Sequence, residues 1–294
     1  MMLALLTAAA VALAGSCHPA PEGRTVATPA GASIFVRTVG QGRPVLMVPS
    51  LGRGVSDFDA LSHDLAAKGY MAILPDPRGI GRSTGGAGKD LFELAADDLA
   101  VIDSMCDGPV DVVGHAFGNR VARSLATMAP ERVSHAVLLA GGGEAPPTAR
   151  TMAALQGSYS QGRKPDVERL EDLRIAFFAN GRDPSVWLTG WFPEAADMQR
   201  KAVAATPSER WWKAGRGPVM LIQALEDPIA PAANAEALRR DLGDRLTLVE
   251  LPHASHAILP EQPKAVAEVV AAYLSGERSE ATLKIIVGRS ATAP

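Results

Sequence analysis

Three short segments of the chain carry side chains that could take part in catalysis. Residues 114–118, GHAFG, join a strongly apolar run to a helix-like stretch, and small residues at this spacing permit a sharp turn with a strained middle residue. Glu226-Asp227 directly follows another apolar run, PVMLIQAL, and LPHASHAILP carries His253 and His256 after a third. A histidine that is oriented by a carboxylate can act as a general base. If the three segments meet in space, they indicate general acid–base chemistry.

The elements that would position these segments alternate between strands and helices from about residue 24 onward. The apolar runs are SIFVRTV, PVLMVPS, YMAILP, PVDVVGH, VSHAVLLAG, PVMLIQAL and RLTLVELP, with amphipathic stretches between many of them. Unbroken Val/Leu/Ile runs are typical of strands buried on both faces of a parallel sheet. The alternation predicts a doubly wound α/β domain with a mostly parallel sheet, and such sheets bind ligands outside the carboxyl ends of their strands.

The alternation lapses between residues 144 and 216, a segment called here the insertion. It holds all four tryptophans (Trp187, Trp191, Trp211 and Trp212) and the pair Phe177-Phe178, and it has no convincing strand. We expect a helical lid that has a small aromatic core and gives apolar walls to a pocket. Residues 24–143 and 217–275 form the predicted α/β core. The tail, 276–294, contains one β-like run, Leu283 to Val287, without an evident place in the sheet.

Over nearly all of residues 24–275 the sequence resembles the α/β-hydrolase fold superfamily. The resemblance rests on the GHAFG turn, the acid and the histidine in that order, on DPRGIGRST after an early strand, and on VPSLGRG at the place of the family's oxyanion loop. It implies that Asp227 is the acid, that His256 is the base and that the backbone N–H groups of Phe117 and Leu51 form an oxyanion hole. Where the family's G-x-S-x-G motif has its nucleophile, this chain has Ala116, which has no oxygen and cannot form an acyl-enzyme.

Several other residues have weaker claims on these roles. His253 is an alternative base, and Glu144 lies at the end of a strand where some members of the family place their acid. Ser50, in the oxyanion loop, could bring a hydroxyl near the nucleophile position, although a loop serine more often caps backbone groups. His115 is expected to pack beside the turn rather than to act in catalysis.

The alanine leaves several functions open. We favour hydrolase-class chemistry on a small ester, lactone or related carbonyl compound, in which the His–Asp pair and the oxyanion hole work without a serine nucleophile. The alternatives are a pseudoenzyme that only binds an apolar small molecule, a cofactor-free lyase or oxygenase that relies on the histidine base, and an esterase inactivated by a serine-to-alanine exchange. No cofactor is expected in the favoured case.

The net charge and the spacing of the histidines bear on two classes of partner, nucleic acids and metal ions. The net charge of −3, from 29 basic and 32 acidic residues, gives no electrostatic footprint for nucleic acid. The six histidines show no spacing typical of a metal site. The aromatic residues of the insertion instead lead us to expect a small apolar substrate or ligand as the partner.

The first residues resemble an export signal. Residues 3–15, LALLTAAAVALAG, have the length of a signal-peptide apolar region, so 1–17 is the predicted leader. Cleavage after a small-x-small pattern gives a periplasmic protein, whereas LAGSC resembles a lipobox that would anchor the chain to a membrane through a lipid on Cys17. A cytoplasmic protein with a misplaced start is the alternative. With only Cys17 and Cys106 in the chain, no disulfide is predicted.

Overall fold

The computed structural model describes residues 16–160 and 162–291, so nearly all of the predicted leader lies outside the described residues. The eight strands are β1 (Arg24–Ala27), β2 (Ser33–Gly40), β3 (Arg43–Val48), β4 (Tyr70–Pro75), β5 (Val110–His115), β6 (Val133–Leu139), β7 (Val219–Ala224) and β8 (Leu246–Leu251). All seven apolar runs of the sequence form strands. The eighth strand, β1, is a four-residue segment, RTVA, with a single buried side chain. It therefore has no apolar run from which it could be predicted.

The strands form one sheet in the order β1-β2-β4-β3-β5-β6-β7-β8. β1 and β2 pair antiparallel, as do β2 and β4, and every pair from β4 to β8 is parallel. The predicted mostly parallel α/β fold is confirmed. Because β3, β5, β6, β7 and β8 run in one direction, their carboxyl ends meet along one edge of the sheet.

Helices pack on both faces of this sheet, whereas those of the insertion mainly contact other helices rather than the strands. The helices are α1 (Asp59–Ala66), α2 (Leu91–Met105), α3 (Phe117–Met128), α4 (Ala149–Ser158), α5 (Asp166–Ala176), α6 (Pro193–Ala204), α7 (Ala233–Leu242), α8 (Ile258–Glu261), α9 (Pro263–Leu274) and α10 (Glu280–Ala291). Successive strand residues face opposite sides, so Val112 packs into one core cluster and Val113 into the other. Burial on both faces explains why the strands are apolar without interruption.

The insertion contributes α4, α5 and α6 between β6 and β7. Its aromatic residues divide between two places. Phe177, Trp187 and Trp191 form a small cluster of their own, whereas Trp211 and Trp212 pack into the main core on one face of the sheet. The last part of the insertion thus belongs physically to the core. That the helical part acts as a lid stays a prediction.

The expectation of a β-like tail is wrong. Leu283 and Val287 lie on α10, which packs against α9 and β8. The two residues are four positions apart, so on a helix they share one face, and both are almost fully buried. A run as short as LKIIV does not distinguish a strand from a buried helix by its periodicity alone.

The expectation that Cys17 and Cys106 do not pair is also wrong, because the structure joins them in a disulfide. The chain after the leader lies alongside the end of α2: the N–H of His18 donates to the carbonyl of Met105 at 2.8 Å, and that of Asp107 to Ser16 at 3.0 Å. These two hydrogen bonds bring the cysteines opposite each other. Counting cysteines excluded a disulfide framework, but a single bridge between distant segments needs only two.

Candidate active site at the carboxyl edge of the sheet

The turn between β5 and α3 is the sharpest feature of the site. Ala116, between the two elements, has φ 52° and ψ −110°, a conformation that residues with a side chain rarely adopt. The glycines around it allow a close approach of backbones. A Cβ on Gly118 would lie 2.0 Å from the carbonyl oxygen of Val48, and one on Gly114 would lie 2.4 Å from that of Gly118. The predicted strained turn is therefore present, with a methyl group at its apex.

The histidine and the carboxylate predicted as base and acid lie side by side. His256 Nδ1 is 2.8 Å from Asp227 Oδ2, and both side chains are buried. The other carboxylate oxygen of Asp227 accepts hydrogen bonds from the N–H groups of Ile229 and Ala230, each at 2.8 Å. These two bonds fix the carboxylate in the loop after β7. With Nδ1 held by Asp227, Nε2 is the nitrogen of His256 that is left to accept a proton.

His115, the last residue of β5, contacts the backbone of His256. Burial, and then the neighbouring His256, lower the pKa of His115 to about 3, so the ring is neutral at physiological pH. A carbonyl oxygen can only accept, and the 2.8 Å contact between His115 Nε2 and the carbonyl of His256 is therefore an N–H donated to it. His115 thus holds the backbone of the loop that carries His256, as expected of a residue that packs beside the turn.

A cavity of about 250 Å³ opens in front of the pair. Ala116 and His256 both line it. Its apolar walls include Leu51, Phe117, Met152, Leu155, Phe177 and Ile229. The helical part of the insertion supplies Met152 and Leu155 to this apolar portion of the wall.

The two residues expected to form an oxyanion hole border the same cavity. Phe117 is the first residue of α3, where backbone N–H groups have no partner within the helix. Leu51 lies in the loop after β3, whose Gly52 N–H donates to Gln199 Oε1 at 2.7 Å. Ser50 is buried and lines the same cavity as Ala116, the middle residue of the sharp GHAFG turn, which is called here the elbow. This placement is compatible with the predicted roles.

The other candidates lie elsewhere. Glu144 is exposed and does not border the cavity; its backbone N–H donates to Asn234 Oδ1. The His253 side chain is 82% exposed and lies 3.9 Å from Glu226. Of the acids and histidines singled out from the sequence, the structure therefore brings only Asp227 and His256 together at the cavity.

Aromatic rings cover His256 from the insertion side. The Phe177 ring centroid lies 5.6 Å from that of His256, and Trp187 and Trp191 pack edge-to-face against Phe177. Arg53 lies against both tryptophans and forms a salt bridge with Asp57 at 2.6 Å. Arg53 is thus buried in a structural contact, and it ties the insertion to the oxyanion loop.

Two charged residues of the cavity wall were not anticipated from the sequence. Arg120 follows Ala116 by one helical turn on α3, and Arg200 lies near the end of α6. The four-residue spacing from the elbow could have revealed Arg120, since it places both residues on one side of the helix. Nothing local to the sequence indicates that Arg200 reaches the cavity.

Metal-binding clusters and membrane-spanning helices are absent from residues 16–160 and 162–291. Within these ranges no group of three or more His, Cys, Asp or Glu side chains is placed to hold a metal ion. No helix in the same part of the chain has the length and hydropathy needed to cross a bilayer.

Comparison with known proteins places this arrangement in a family. The model of the alpha/beta hydrolase family matches residues 45–269. Rhodomycin D methylesterase DauP from a Streptomyces species is 31% identical over 268 residues, covering 76% of this chain and 87% of that protein. The non-heme haloperoxidase of Rhodococcus erythropolis is 37% identical over 119 residues, 40% of this chain and 42% of its own. The Exiguobacterium antarcticum esterase structure superposes with a TM-score of 0.73 at 18% identity, covering 86% of this chain and all of that one.

Proposed function

Since the chain belongs to the α/β hydrolase family, we propose that it hydrolyses a small ester, lactone or related carbonyl compound without a covalent intermediate. The observation that carries the proposal is the buried His256–Asp227 pair at a cavity whose elbow residue is Ala116. The similarity to esterase-type, carbamate hydrolase and haloperoxidase proteins supports hydrolase chemistry in the broad sense.

In the proposed reaction His256 acts first as a base and then as an acid. Nε2 removes a proton from a water molecule while the water oxygen bonds to the substrate carbonyl carbon, whose π electrons move onto oxygen. The N–H groups of Phe117 and Leu51 stabilise that oxyanion. When the carbonyl re-forms, the bond to the leaving oxygen breaks, and His256 returns its proton to that oxygen. Asp227 holds the required tautomer and stabilises the imidazolium.

Ala116 sets the expected rate. Hydrolases that lose their nucleophile keep a residual acceleration of about 10³ to 10⁴ over water, which arises from binding and the oxyanion hole. Turnover should therefore be slow and should favour activated substrates with good leaving groups. Ser50 is the neighbouring hydroxyl that could substitute for a nucleophile, so its contribution needs a separate test.

One observation favours a second candidate, a protein that binds an apolar small molecule without converting it. The elbow keeps its strained backbone but has no nucleophilic oxygen at Ala116. A ligand that binds tightly and is recovered chemically intact after long incubation would support this role. Cofactor-free lyase or oxygenase chemistry would instead need His256 as base and would consume a non-ester substrate.

The disulfide bears on where the protein works. Disulfides persist in oxidising compartments, so the Cys17–Cys106 bond favours the exported alternative over the cytoplasmic one. A Cys17 sulfur bonded to Cys106 cannot also carry a lipid. We therefore propose a leader that is cleaved by ordinary signal peptidase, after Ala14, and a soluble periplasmic product.

The test is hydrolysis of a panel of short and medium aryl esters by the wild-type protein and two histidine variants. We expect His256→Ala to lower kcat/KM by at least about a hundredfold, the smaller end of general-base effects. His253→Ala is the matched control, since it removes the exposed neighbour three residues away and should leave the rate unchanged. Equal activity of wild type and His256→Ala on every active substrate would refute the proposal.

A further inference from the structure

The charges that line the cavity are all positive. Arg120 and Arg200 border it, and none of its lining residues is Asp or Glu. The Arg200 guanidinium donates to the Tyr159 hydroxyl at 2.7 Å and is otherwise exposed at the end of α6. The cavity is mainly apolar, and its charged wall residues are both arginines. Such a cavity is suited to an anionic ligand rather than to a neutral one.

Arg120 is the more informative of the two residues. It is partly buried, and within residues 16–160 and 162–291 its guanidinium makes no hydrogen bond or ion pair; its main contact is the Trp211 ring, 5.3 Å away. Arg123, one turn further along α3, is fully buried and donates from Nη2 to Asn119 Oδ1 and to the carbonyl of Gly142, whereas its Nη1 has no hydrogen-bond partner. Arg120 has no such protein acceptor.

Among the described residues, no carboxylate forms an ion pair with Arg120. Glu144 acts on Arg123 through its charge but is exposed and outside the cavity wall. Burial lowers the pKa of Arg120, but a guanidinium remains protonated in proteins, so the side chain keeps its positive charge. With no hydrogen-bond acceptor among the described residues, the partly buried guanidinium is available to pair with an anion bound in the cavity.

We propose that the cavity recognises a small organic carboxylate, held by Arg120 with Arg200 at the rim. A planar guanidinium binds a carboxylate through two parallel hydrogen bonds, and the apolar walls suit the rest of the molecule. Ala116 and Arg120 are one helical turn apart, about 6 Å along the axis. The substrate is then a carbonyl compound with its own carboxylate a few bonds from the reacting carbon. This assignment of substrate class rests on the proposed function, whereas carboxylate binding does not.

Calorimetric titration of the wild-type protein with benzoate and with benzamide tests the proposal. The two probes have nearly the same shape and differ in charge. We expect benzoate to bind at least about tenfold more tightly, the effect of one charge-assisted hydrogen-bonded contact. Phenyl phosphate is the third probe, and tighter binding of it than of benzoate would overturn the carboxylate assignment.

Two arginine variants test whether Arg120 causes the preference for benzoate over benzamide. Arg120→Met keeps the length of the side chain but removes the charge, and it should abolish the preference for benzoate. Arg216→Met is the matched control: Arg216 is exposed just before β7, at the opposite edge of the sheet. This control should keep the wild-type preference. Should Arg120→Met fail to fold, Arg120→Lys must bind benzoate more weakly than wild type with benzamide unchanged, because lysine lacks the planar fork.

Equal affinity of wild type for benzoate and benzamide, no detectable benzoate binding, or an unchanged preference in Arg120→Met would each overturn the proposal. These outcomes are independent of turnover. A protein that binds benzoate through Arg120 but hydrolyses no ester retains the carboxylate site and loses the proposed function. A protein that hydrolyses neutral esters through His256 without a benzoate preference does the reverse.

Discussion

Replacing Ala116 by glycine should make the protein more stable. The residue holds φ 52° and ψ −110° because its N–H donates to Leu139 at 2.9 Å while its carbonyl accepts from the Asn119 N–H at 3.1 Å. These two hydrogen bonds, one on each side of the residue, hold its backbone in this strained conformation. Its methyl group borders the cavity, so little packing is lost when that group is removed. Glycine adopts the same dihedral angles without a steric penalty.

The size of the effect follows from two opposing terms. Holding a residue with a side chain in such a conformation costs about 1 to 3 kcal/mol. The greater freedom of glycine in the unfolded chain costs about 0.5 to 1 kcal/mol. We therefore expect Ala116→Gly to raise the free energy of unfolding by about 1 kcal/mol.

The matched control is Ala122→Gly, at a fully buried position inside α3. There glycine loses about 1 kcal/mol of helix propensity and about 0.8 kcal/mol of buried methyl group, so the variant should be destabilised by about 2 kcal/mol. Urea unfolding of wild type and both variants at one pH measures the two shifts. If Ala116→Gly is destabilised as much as Ala122→Gly, the turn stores no strain and the reasoning is wrong.

Three further predictions concern residues around the site and the disulfide. Gly118→Ala should lower the free energy of unfolding by about 1 to 3 kcal/mol, because its Cβ would overlap the Val48 carbonyl; an unchanged urea midpoint would contradict the close approach. Replacing Cys17 and Cys106 by serine should cost about 4 kcal/mol, since the bridge closes a long loop, and intact-mass measurement of the untreated protein should show two thiol hydrogens missing; two free thiols would contradict the bridge. The lowered pKa of His115 predicts a loss of stability on acidification from pH 6.5 to about 3, where the unfolded ring binds a proton and the folded ring does not. His115→Gln should lose less stability over that range, and parallel curves for the two proteins would refute the assignment.

The sequence predicts most of the sheet and the central pair of the site, for identifiable physical reasons. Strands buried on both faces are continuously apolar, and the ends of parallel strands meet, so Asp227 and His256 could be expected together. Small residues at 114 and 118 predict the sharp turn because no Cβ fits there. Each of these signals is local or follows from the direction of the strands.

Other features depend on contacts that leave no local signal. The Cys17–Cys106 bond arises from two segments 89 residues apart. The tail is helical because α9 and β8 together form a surface against which Leu283 packs. Arg200 comes to the cavity only because α6 folds back over the carboxyl edge of the sheet. Such features follow from tertiary packing, which periodicity and motifs do not report.

The central claim, that His256 activates water and no acyl-enzyme forms, is tested most directly by intact-mass spectrometry of the protein quenched during turnover of an aryl ester. The account predicts an unmodified wild-type chain, together with product release that shows no burst. Ala116→Ser, with the elbow oxygen present, should accumulate the acyl adduct and show a burst. An acyl adduct on the wild-type protein, at Ser50 or elsewhere, that forms and decays at the rate of turnover would contradict the account.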